Sequence, residues 1–480
     1  MPARCTSDGV VTQKWINRAL AVFAWGLLAS MLAAALHDVS MAWDVWYYHL
    51  PFAARIVGIV PASQFAYDPL NQARFDGFPL LAETLQGALW RITGRPESAN
   101  LVAFATIPLF AWFVKKTFAV PMYLTIIGLL AVPLVQIHAT SCYVDLPSNA
   151  AASVVVLIAI KAWGDADDRP DLRLLLVAGV AAGVAANMKA LMHPIVLVAL
   201  VALGARVVPR LLRERRFGVV AMMLIALPLV FATPLKNLAL HGNPYYPVEF
   251  HLAGHTLPGP EEPYASSPVW LEHAPRPLRF VCSILELRLP PLGIGRWTLD
   301  QWTPPDAPAY RMGGFFGAYV VLHLVVLVWR GVRERRDRVV RVACLGFLAM
   351  TAIVSVLPQS HELRYYLGWM IVLVALNLHL ASLRSARPDG TLMGLACAGA
   401  LGVVLMVTRC EYAYPSGRSF DALVRVEVDD AILGKVHDGE EVCVRRAPWN
   451  FLWASRFHAP RNYAVREAVT PAECDGAPAL

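Results

Sequence analysis

Long apolar runs repeat along this chain and constrain its fold more than any other feature. Eleven of them can cross a bilayer, with help from flanking residues where they are short. They cover residues 19–36, 99–114, 121–137, 148–161, 174–187, 194–207, 217–233, 314–329, 342–357, 367–383 and 392–407. With 57% hydrophobic and only 16% charged residues, soluble cores cannot bury all these apolar side chains. The sequence therefore predicts an all-α polytopic membrane protein with about eleven transmembrane helices.

Charge supports a membrane protein and not a nucleic-acid partner. The net charge is +7, but the basic residues form short clusters between the apolar runs, where they meet membrane lipids. The first run, 19–36, is too long for a signal-peptide core and is not followed by a small-residue cleavage site. We therefore expect it to be a retained span.

The basic clusters also predict the orientation. Segment 78–92 is apolar but carries Glu83, Gln86 and Arg91, which is typical of an amphipathic juxtamembrane helix. If it lies on the surface, the basic clusters share the side of the N-terminus, as the positive-inside rule requires. These clusters are 115–116, 161–173, 206–216, 330–341 and 384–387. The N-terminus is then cytoplasmic, and the C-terminus lies on the outer side of the membrane.

This orientation predicts one membrane domain and one small outer domain. The transmembrane domain is 1–408, with juxtamembrane helices in a first outer loop, 37–98, and a large outer loop, 236–311. The outer domain, 409–480, is a small α/β unit with a helix at 421–433, a strand at 441–446 and a helix or turn at 449–457. A Cys443–Cys474 disulfide is one possible pairing in an oxidising periplasm, with Cys410 nearby.

The large outer loop has the composition of a cover over the membrane domain. Segment 278–289 has the spacing of a helix lying on the membrane. The aromatic residues of the loop suit either stacking on sugars or resting at the membrane interface. They are Tyr245, Tyr246, Tyr264, Trp270, Trp297, Trp302 and Tyr310.

Two carboxylates stand at the predicted outer ends of spans. Asp44 lies among aromatic and imidazole rings directly after the first span, and it shares a helix face with Tyr48 if 47–55 starts a helix. Asp145 follows the third span, beside Tyr143. A capping aspartate within an aromatic belt explains each of these residues equally well. Their common outer face favours a functional interpretation.

Several short motifs occur in a characteristic order in this chain. Asp44 precedes Tyr-His-Leu-Pro, then come Phe-Pro-Leu-Leu-Ala-Glu ending at Glu83 and Tyr-Val-Asp-Leu around Asp145. Asn-Met-Lys ending at Lys189, 242–247 and Glu-Leu-Arg-Tyr-Tyr around Arg364 follow. Together they resemble the GT-C superfamily of polyprenyl-phosphate-dependent glycosyltransferases, and most closely the bacterial protein mannosyltransferase and aminoarabinose transferase group. The resemblance implies a GT-C-like helix bundle.

The resemblance also implies a reaction and roles for residues. A hexose or pentose would pass, with inversion, from a polyprenyl-phosphate carrier to a glycan, lipid or protein acceptor on the periplasmic face. Asp44 is the expected general base, and Asp145 is the second catalytic residue, expected to orient the acceptor or donor. Lys189 and Arg364 are expected to stabilise the departing phosphate, although snorkelling of the lysine or pairing of the arginine with Glu362 explains them too. The other candidates for binding donor or lipid phosphate are Tyr48, His49, Arg55 and Glu83.

The sequence departs from its relatives in two places. Protein mannosyltransferases have an adjacent acidic pair in the first loop, but here Val45 follows Asp44, which weakens the case for a protein acceptor. Oligosaccharyltransferases hold a divalent metal with acid pairs that Tyr143 and Pro147 replace around Asp145. A requirement for Mg²⁺ or Mn²⁺ stays open, with ligands from the acids Asp44, Asp145 and Glu83.

Other interpretations of the same sequence remain. The pair His361-Glu362 begins like a zinc-protease helix but lacks the second histidine, because Tyr365 occupies its position. The histidines at 241, 251, 255 and 273 have no metal-ligand spacing. A transporter or flippase of a lipid-linked sugar, and an O-antigen ligase or polymerase, are the alternative functions. The first usually keeps polar residues near mid-membrane.

Overall fold

The computed structural model describes residues 7–165, 171–252, 254–263, 273–288, 293–294, 314–383, 389–470 and 474. The α-helices of this part are α1 Ser7–His37, α2 Leu50–Ile56, α3 Pro69–Gly77, α4 Leu81–Thr93, α5 Leu101–Phe118, α6 Met122–Leu130, α7 Pro133–Ala139, α8 Asp145–Gly164, α9 Leu172–Met188, α10 His193–Arg213, α11 Phe217–Val230, α12 Ala232–His241, α13 Arg276–Ile284, α14 Gly317–Arg333, α15 Arg338–Val356, α16 Leu367–Ser382, α17 Asp389–Val407, α18 Phe420–Glu427 and α19 Asp430–Leu433. The strands are β1 Phe65–Ala66, β2 Phe250–Leu252, β3 His255–Leu257, β4 Leu287–Arg288, β5 Gly293–Ile294, β6 Glu441–Arg445 and β7 Ala464–Ala468.

The apolar runs form the helices of a membrane bundle. Within the described residues, seven helices are long and apolar enough to cross a membrane, and the bent pairs α6–α7 and α11–α12 raise this number to nine. Each remaining predicted run coincides with a 17-residue helix, α9 or α14. The α6–α7 bend of 101° falls where Pro133 begins α7, because the residue before a proline avoids helical angles. The predicted all-α polytopic fold is confirmed.

Two helices occupy the centre of the bundle and begin at the same end of it. Helices α8 and α16 are the most buried of the candidate spans, and α8 packs against α5, α9, α10, α15 and α16. The Asn149 side chain donates to the Asp145 carbonyl at 2.9 Å and accepts from the Gly368 backbone N–H at 2.8 Å. The start of α8 and the start of α16 are therefore joined directly.

The first loop folds into three short helices, and its last helix corrects one expectation. The predicted surface helix is α4, whose Leu85 and Ile92 are exposed as lipid-facing residues would be. The polar side of an amphipathic surface helix is expected to face water, but Glu83 and Gln86 are buried. Trp90 shares this buried side, while Arg91 is exposed together with Leu85 and Ile92. Gly87 lets α4 approach α2 closely, since a Cβ there would lie 2.5 Å from a backbone oxygen of α2.

The segment after Asp44 differs from the predicted helix at 47–55. It begins with a π-helical turn, Val45–His49, in which the Leu50 N–H donates to the Val45 carbonyl. Helix α2 continues from this turn, with Pro51 in its first turn, where a missing N–H costs nothing. The chain therefore carries one extra residue per turn directly beside Asp44.

The C-terminal segment forms a parallel three-stranded sheet in the order β1-β7-β6. Strand β6 agrees with the predicted strand, and two 3₁₀ turns, Asn450–Trp453 and Ser455–Phe457, agree with the predicted turn. The predicted helix at 421–433 is interrupted, because Asp429 caps the separate helix α19. Strand β1 belongs to the first loop, so the tail completes its sheet with a strand from the segment that follows Asp44.

The large loop is described only in part. The predicted helix at 278–289 is observed as α13, which ends at Ile284 and is followed by β4. Its neighbouring aromatic residues Tyr264, Trp270, Trp297, Trp302 and Tyr310 lie outside the described residues. Asn237 of α12 donates to the Gly77 carbonyl at 2.7 Å, and a Cβ on Gly77 would lie 2.4 Å from the Tyr246 carbonyl oxygen. The large loop therefore begins in direct contact with the first loop.

A disulfide joins Cys443 of β6 to Cys474, with a Cα–Cα distance of 5.6 Å, and Cys410 is a free thiol. Because the bridge closes a loop of 31 residues, replacing both cysteines with serine is expected to destabilise the tail by about 2 to 4 kcal/mol. The measurement is denaturant unfolding of the full-length protein with and without reductant. The control is Cys410→Ser, which should keep the wild-type response. Mass analysis that finds Cys443 and Cys474 both free would remove the bridge.

Two acids meet where the tail joins the first loop. The backbone N–H of Asp68 donates to Glu467 Oε2 at 3.4 Å, and Asn71 Nδ2 donates to the same oxygen at 3.1 Å. Asp68 also caps α3 by accepting from two backbone N–H groups, and its Oδ2 lies 3.5 Å from Arg446 Nε. Burial, with Asp68 nearby, raises the pKa of Glu467 from 4.5 to about 7.

This pKa predicts a pH dependence of tail docking. Between about pH 4.5 and 7 the folded protein keeps a Glu467 proton that the unfolded chain releases, so stability falls as pH rises through that window. Glu467→Gln should remove this dependence, because the amide does not ionise. Hydrogen exchange of β7, corrected for the intrinsic rate at each pH, measures it. Identical pH dependences for Glu467→Gln and wild type would contradict the assignment.

Candidate active site

Two buried acid–cation pairs lie where the first loop meets the bundle. Arg364 Nη1 lies 3.1 Å from Asp44 Oδ2, and the two side chains are 14% and 19% exposed. Lys189 Nζ pairs with Asp145 Oδ1, and that carboxylate is 2% exposed. All four residues are among those selected from the sequence. The structure therefore brings four chain segments to one place.

One aromatic ring lies beside both cations. Lys189 Nζ is 4.2 Å from the centroid of the Tyr365 ring, and Arg364 Cζ is 4.9 Å from it. Arg364 Nη2 also donates to the Tyr365 hydroxyl at 3.1 Å. The Asn149 side chain donates to the Arg364 carbonyl at 3.4 Å, which links this group to the start of α8. The two ion pairs therefore form one cluster, with an ammonium and a guanidinium group flanking the same ring.

These pairs decide between the alternatives for their two cations. Lys189 is mostly buried against a carboxylate and a ring, so it does not extend to lipid head groups. Arg364 forms an ion pair with Asp44, which lies 320 residues away in the sequence. Buried ion pairs are costly to maintain, because their attraction often fails to repay desolvation. Two of them in one cluster are a reason to expect function.

Tyr48 lies at the edge of this cluster. Its phenol pKa is raised well above 10 by burial and by the nearby Asp44 carboxylate. The hydroxyl is therefore a proton-bearing hydrogen-bond donor at any physiological pH. Such a donor suits a phosphate or sugar oxygen.

His49 and Glu83, two other selected residues, contact each other. His49 Nδ1 lies 2.7 Å from Glu83 Oε1, and both residues are about 3% exposed. The His49 ring also packs against Tyr48 and, edge-on, against Tyr143. The His49–Glu83 pair therefore lies next to the Tyr48 and Tyr143 rings, which border the cluster.

The contacts of Arg55 are with residues of the first loop and not with the acid–cation pairs. Its guanidinium donates to the Phe65 carbonyl and stacks 4.1 Å from the centroid of the Tyr67 ring. These contacts hold β1 against α2. The structure therefore gives Arg55 a place within the first loop and does not bring it to the cluster.

Two further arginines near the cluster were not selected from the sequence. Arg74 of α3 lies 5.6 Å from the Tyr47 ring centroid and forms a two-pronged contact with Glu261 at 2.5 and 2.9 Å. Arg446 of the tail lies 4.8 Å from the same ring centroid. Both approach through folding of distant segments, and no local motif marks them.

The three acids do not form a metal site in this conformation. Among the residues that the structure describes, no three His, Cys, Asp or Glu side chains are grouped to hold an ion. Asp44, Asp145 and Glu83 are instead paired with a guanidinium, an ammonium and an imidazole group respectively. A divalent ion bound by all three would have to displace these partners, so we derive no step through a metal.

The fold and this cluster define a class: a polytopic helical membrane protein with acids and cations gathered at one end of the bundle. Two solved structures share the fold, both of ArnT, an aminoarabinose transferase, from Cupriavidus metallidurans. The apo structure matches with a TM-score of 0.51 and 12% identity, over 94% of this chain and 86% of that one. The structure bound to undecaprenyl phosphate matches with a TM-score of 0.52 and 13% identity, over 99% and 90%. No family model and no curated protein sequence matches the chain.

Proposed function

We propose that this protein is a membrane glycosyltransferase that moves a sugar from a polyprenyl-phosphate carrier to an acceptor at the periplasmic face of a bacterial inner membrane. The observation that carries the proposal is the cluster of two acid–cation pairs around Tyr365 in an ArnT-like fold. The undecaprenyl phosphate bound to ArnT supports a carrier of this kind. The basic clusters on the opposite side of the spans support the orientation.

The residues suit a single displacement with inversion. Asp44 takes the proton of the acceptor hydroxyl or amine while that atom attacks the anomeric carbon. The bond from this carbon to the phosphate oxygen breaks, and its electron pair stays on the polyprenyl phosphate. Lys189 and Arg364 then stabilise the added charge. Asp145 holds Lys189 in place, and Tyr48 donates to an oxygen of the donor.

The ion pair between Asp44 and Arg364 gives this scheme an order of events. While the pair is closed, the Arg364 guanidinium group occupies Asp44 Oδ2. A donor phosphate competes for the same guanidinium, which forms strong two-pronged contacts with phosphate oxygens. Binding of the donor therefore releases Asp44 to accept a proton.

The test is transfer by the purified protein in nanodiscs. Polyprenyl-phosphate-linked hexoses and pentoses are supplied as donors, with cell-envelope lipid, polysaccharide and protein fractions as acceptors. Transfer with inversion supports the proposal, and mass spectrometry of envelope glycans with and without the gene identifies the acceptor. Movement of an intact lipid-linked sugar across proteoliposomes, without transfer, would show a flippase instead. Joining of preassembled polysaccharide to a lipid would show a ligase.

A further inference from the structure

The His49–Glu83 pair is a buried polar contact beside the cluster, and the proposed mechanism does not use it. The two groups are 2.7 Å apart, and Glu83 Oε2 has no hydrogen-bond partner within the described part of the chain. A buried carboxylate is unfavourable unless it is paired, and here only one of its two oxygens is satisfied. The pair is therefore kept at a cost in stability.

The π-helical turn explains how His49 reaches Glu83. In an α-helix, with about 3.6 residues per turn, position 49 would be rotated well away from position 44. The wider turn between Val45 and Leu50 rotates His49 back toward the side of Asp44. Such turns are rare and are frequently found at functional sites. The same local distortion thus sets the position of Asp44 and presents His49 to α4.

His49 is also connected to the cluster through two rings. Its ring centroid is 4.3 Å from that of Tyr48. The phenol pKa of Tyr48 is raised by burial and by the nearby Asp44 carboxylate. The His49 ring centroid is 5.8 Å from the centroid of Tyr143, and that ring lies 5.6 Å from Arg364 Cζ. One ring therefore stands beside each member of the Asp44–Arg364 pair, and His49 supports both rings.

We propose that His49 and Glu83 are positioning residues. Glu83 fixes the orientation of the His49 ring, and the fixed ring holds the π turn in register. Asp44 and Arg364 are thereby kept in the geometry that the reaction needs. This inference rests on the proposed function and assigns the pair a role other than contact with the donor phosphate. Glu83 acts only through His49, and His49 acts through Tyr48, Tyr143 and the turn.

Conservative and disruptive variants separate positioning from contact. His49→Asn keeps an N–H near the position of Nδ1, and Glu83→Gln keeps an oxygen to accept from it. Both are expected to stay within about tenfold of the wild-type kcat, whereas His49→Ala and Glu83→Ala lose about 10²-fold, as a displaced reacting group does. The donor KM and the shape of the pH–rate profile should stay unchanged in all four. The double alanine variant should lose no more than either single variant, because the two residues act as one unit.

The control is Glu97→Gln, which places an amide at another buried acid of the same loop, one that accepts from the Phe420 backbone N–H. It should leave kcat unchanged. Equal losses in His49→Asn and His49→Ala, with a raised donor KM or a lost limb of the pH profile, would overturn the inference and show direct contact or proton transfer. The conservative variants keep the test decisive even if the alanine variants fail to fold. A wild-type protein that transfers no sugar would instead overturn the proposed function.

Discussion

Replacing Asp44 with asparagine is expected to lower the rate of sugar transfer by about 10²- to 10⁴-fold, the usual contribution of a general base. The amide has the shape of the carboxylate but cannot take the acceptor proton. Because Arg364 would keep a polar neighbour, we expect donor binding to persist or to strengthen. The measurement is the initial rate of transfer with the donor varied, on protein matched for yield and monodispersity.

The matched control for Asp44 is Asp76→Asn in the same loop. Asp76 is exposed and accepts from Gln72 Nε2 at 3.0 Å, and it has no proposed role in the cluster. It should transfer sugar at the wild-type rate. Unchanged envelope glycans and unchanged transfer with Asp44→Asn would contradict the role of Asp44 as the general base.

Replacing Arg364 with methionine has the second largest expected effect, a loss of about 10²- to 10³-fold in kcat, as for removal of a group that stabilises transition-state charge. Methionine keeps much of the volume and removes the charge from beside the Tyr365 ring. Asp44 is left without its ionic partner, so donor binding should weaken as well. Arg364→Lys should have a kcat between those of wild type and Arg364→Met, because lysine keeps the charge but lacks the planar guanidinium group. Steady-state kinetics with varied donor measures both effects.

Arg276, which lies in the large outer loop, is the control for the removal of an arginine. Its Nη1 donates to the Val356 carbonyl at 3.1 Å, and the residue is exposed. Arg276→Met should leave donor KM and kcat near their wild-type values. A wild-type kcat for Arg364→Met would show that the guanidinium does not stabilise the departing phosphate.

The predictable part of this fold follows from composition and periodicity. Apolar runs identify the spans because a bilayer demands continuous apolar helices. Helix α4 could be placed on the surface because Glu83, Gln86 and Arg91 interrupt its hydrophobicity. Which side of α4 faces the protein could not be predicted, because both sides mix polar and apolar residues: Glu83 and Gln86 are buried with Trp90, and Arg91 is exposed with Leu85 and Ile92.

The residue types of the site were also predictable, but their pairing was not. Asp44 and Arg364 are 320 residues apart, and their contact depends on how the first loop packs against the start of α16. Local sequence offered Glu362 only as an alternative partner of Arg364. The acids and cations could therefore be selected by their position at span ends, while the cluster around Tyr365 required the fold.

The features that escaped prediction are short or long-range. The π turn at Val45–His49 differs from an α-helix by one residue per turn, which side-chain periodicity does not resolve. Strand β1 has two residues, and its partner β7 is about 400 residues later in the chain. Arg446 reaches the Tyr47 ring only because that sheet forms.

The most direct test of the account is an electron cryo-microscopy structure of the protein with polyprenyl phosphate bound in a nanodisc. We predict that phosphate oxygens lie about 2.7 to 3.2 Å from Lys189 Nζ and the Arg364 guanidinium, with Asp44 released from its ion pair. A phosphate bound on another surface, while both ion pairs remain closed, would contradict the account.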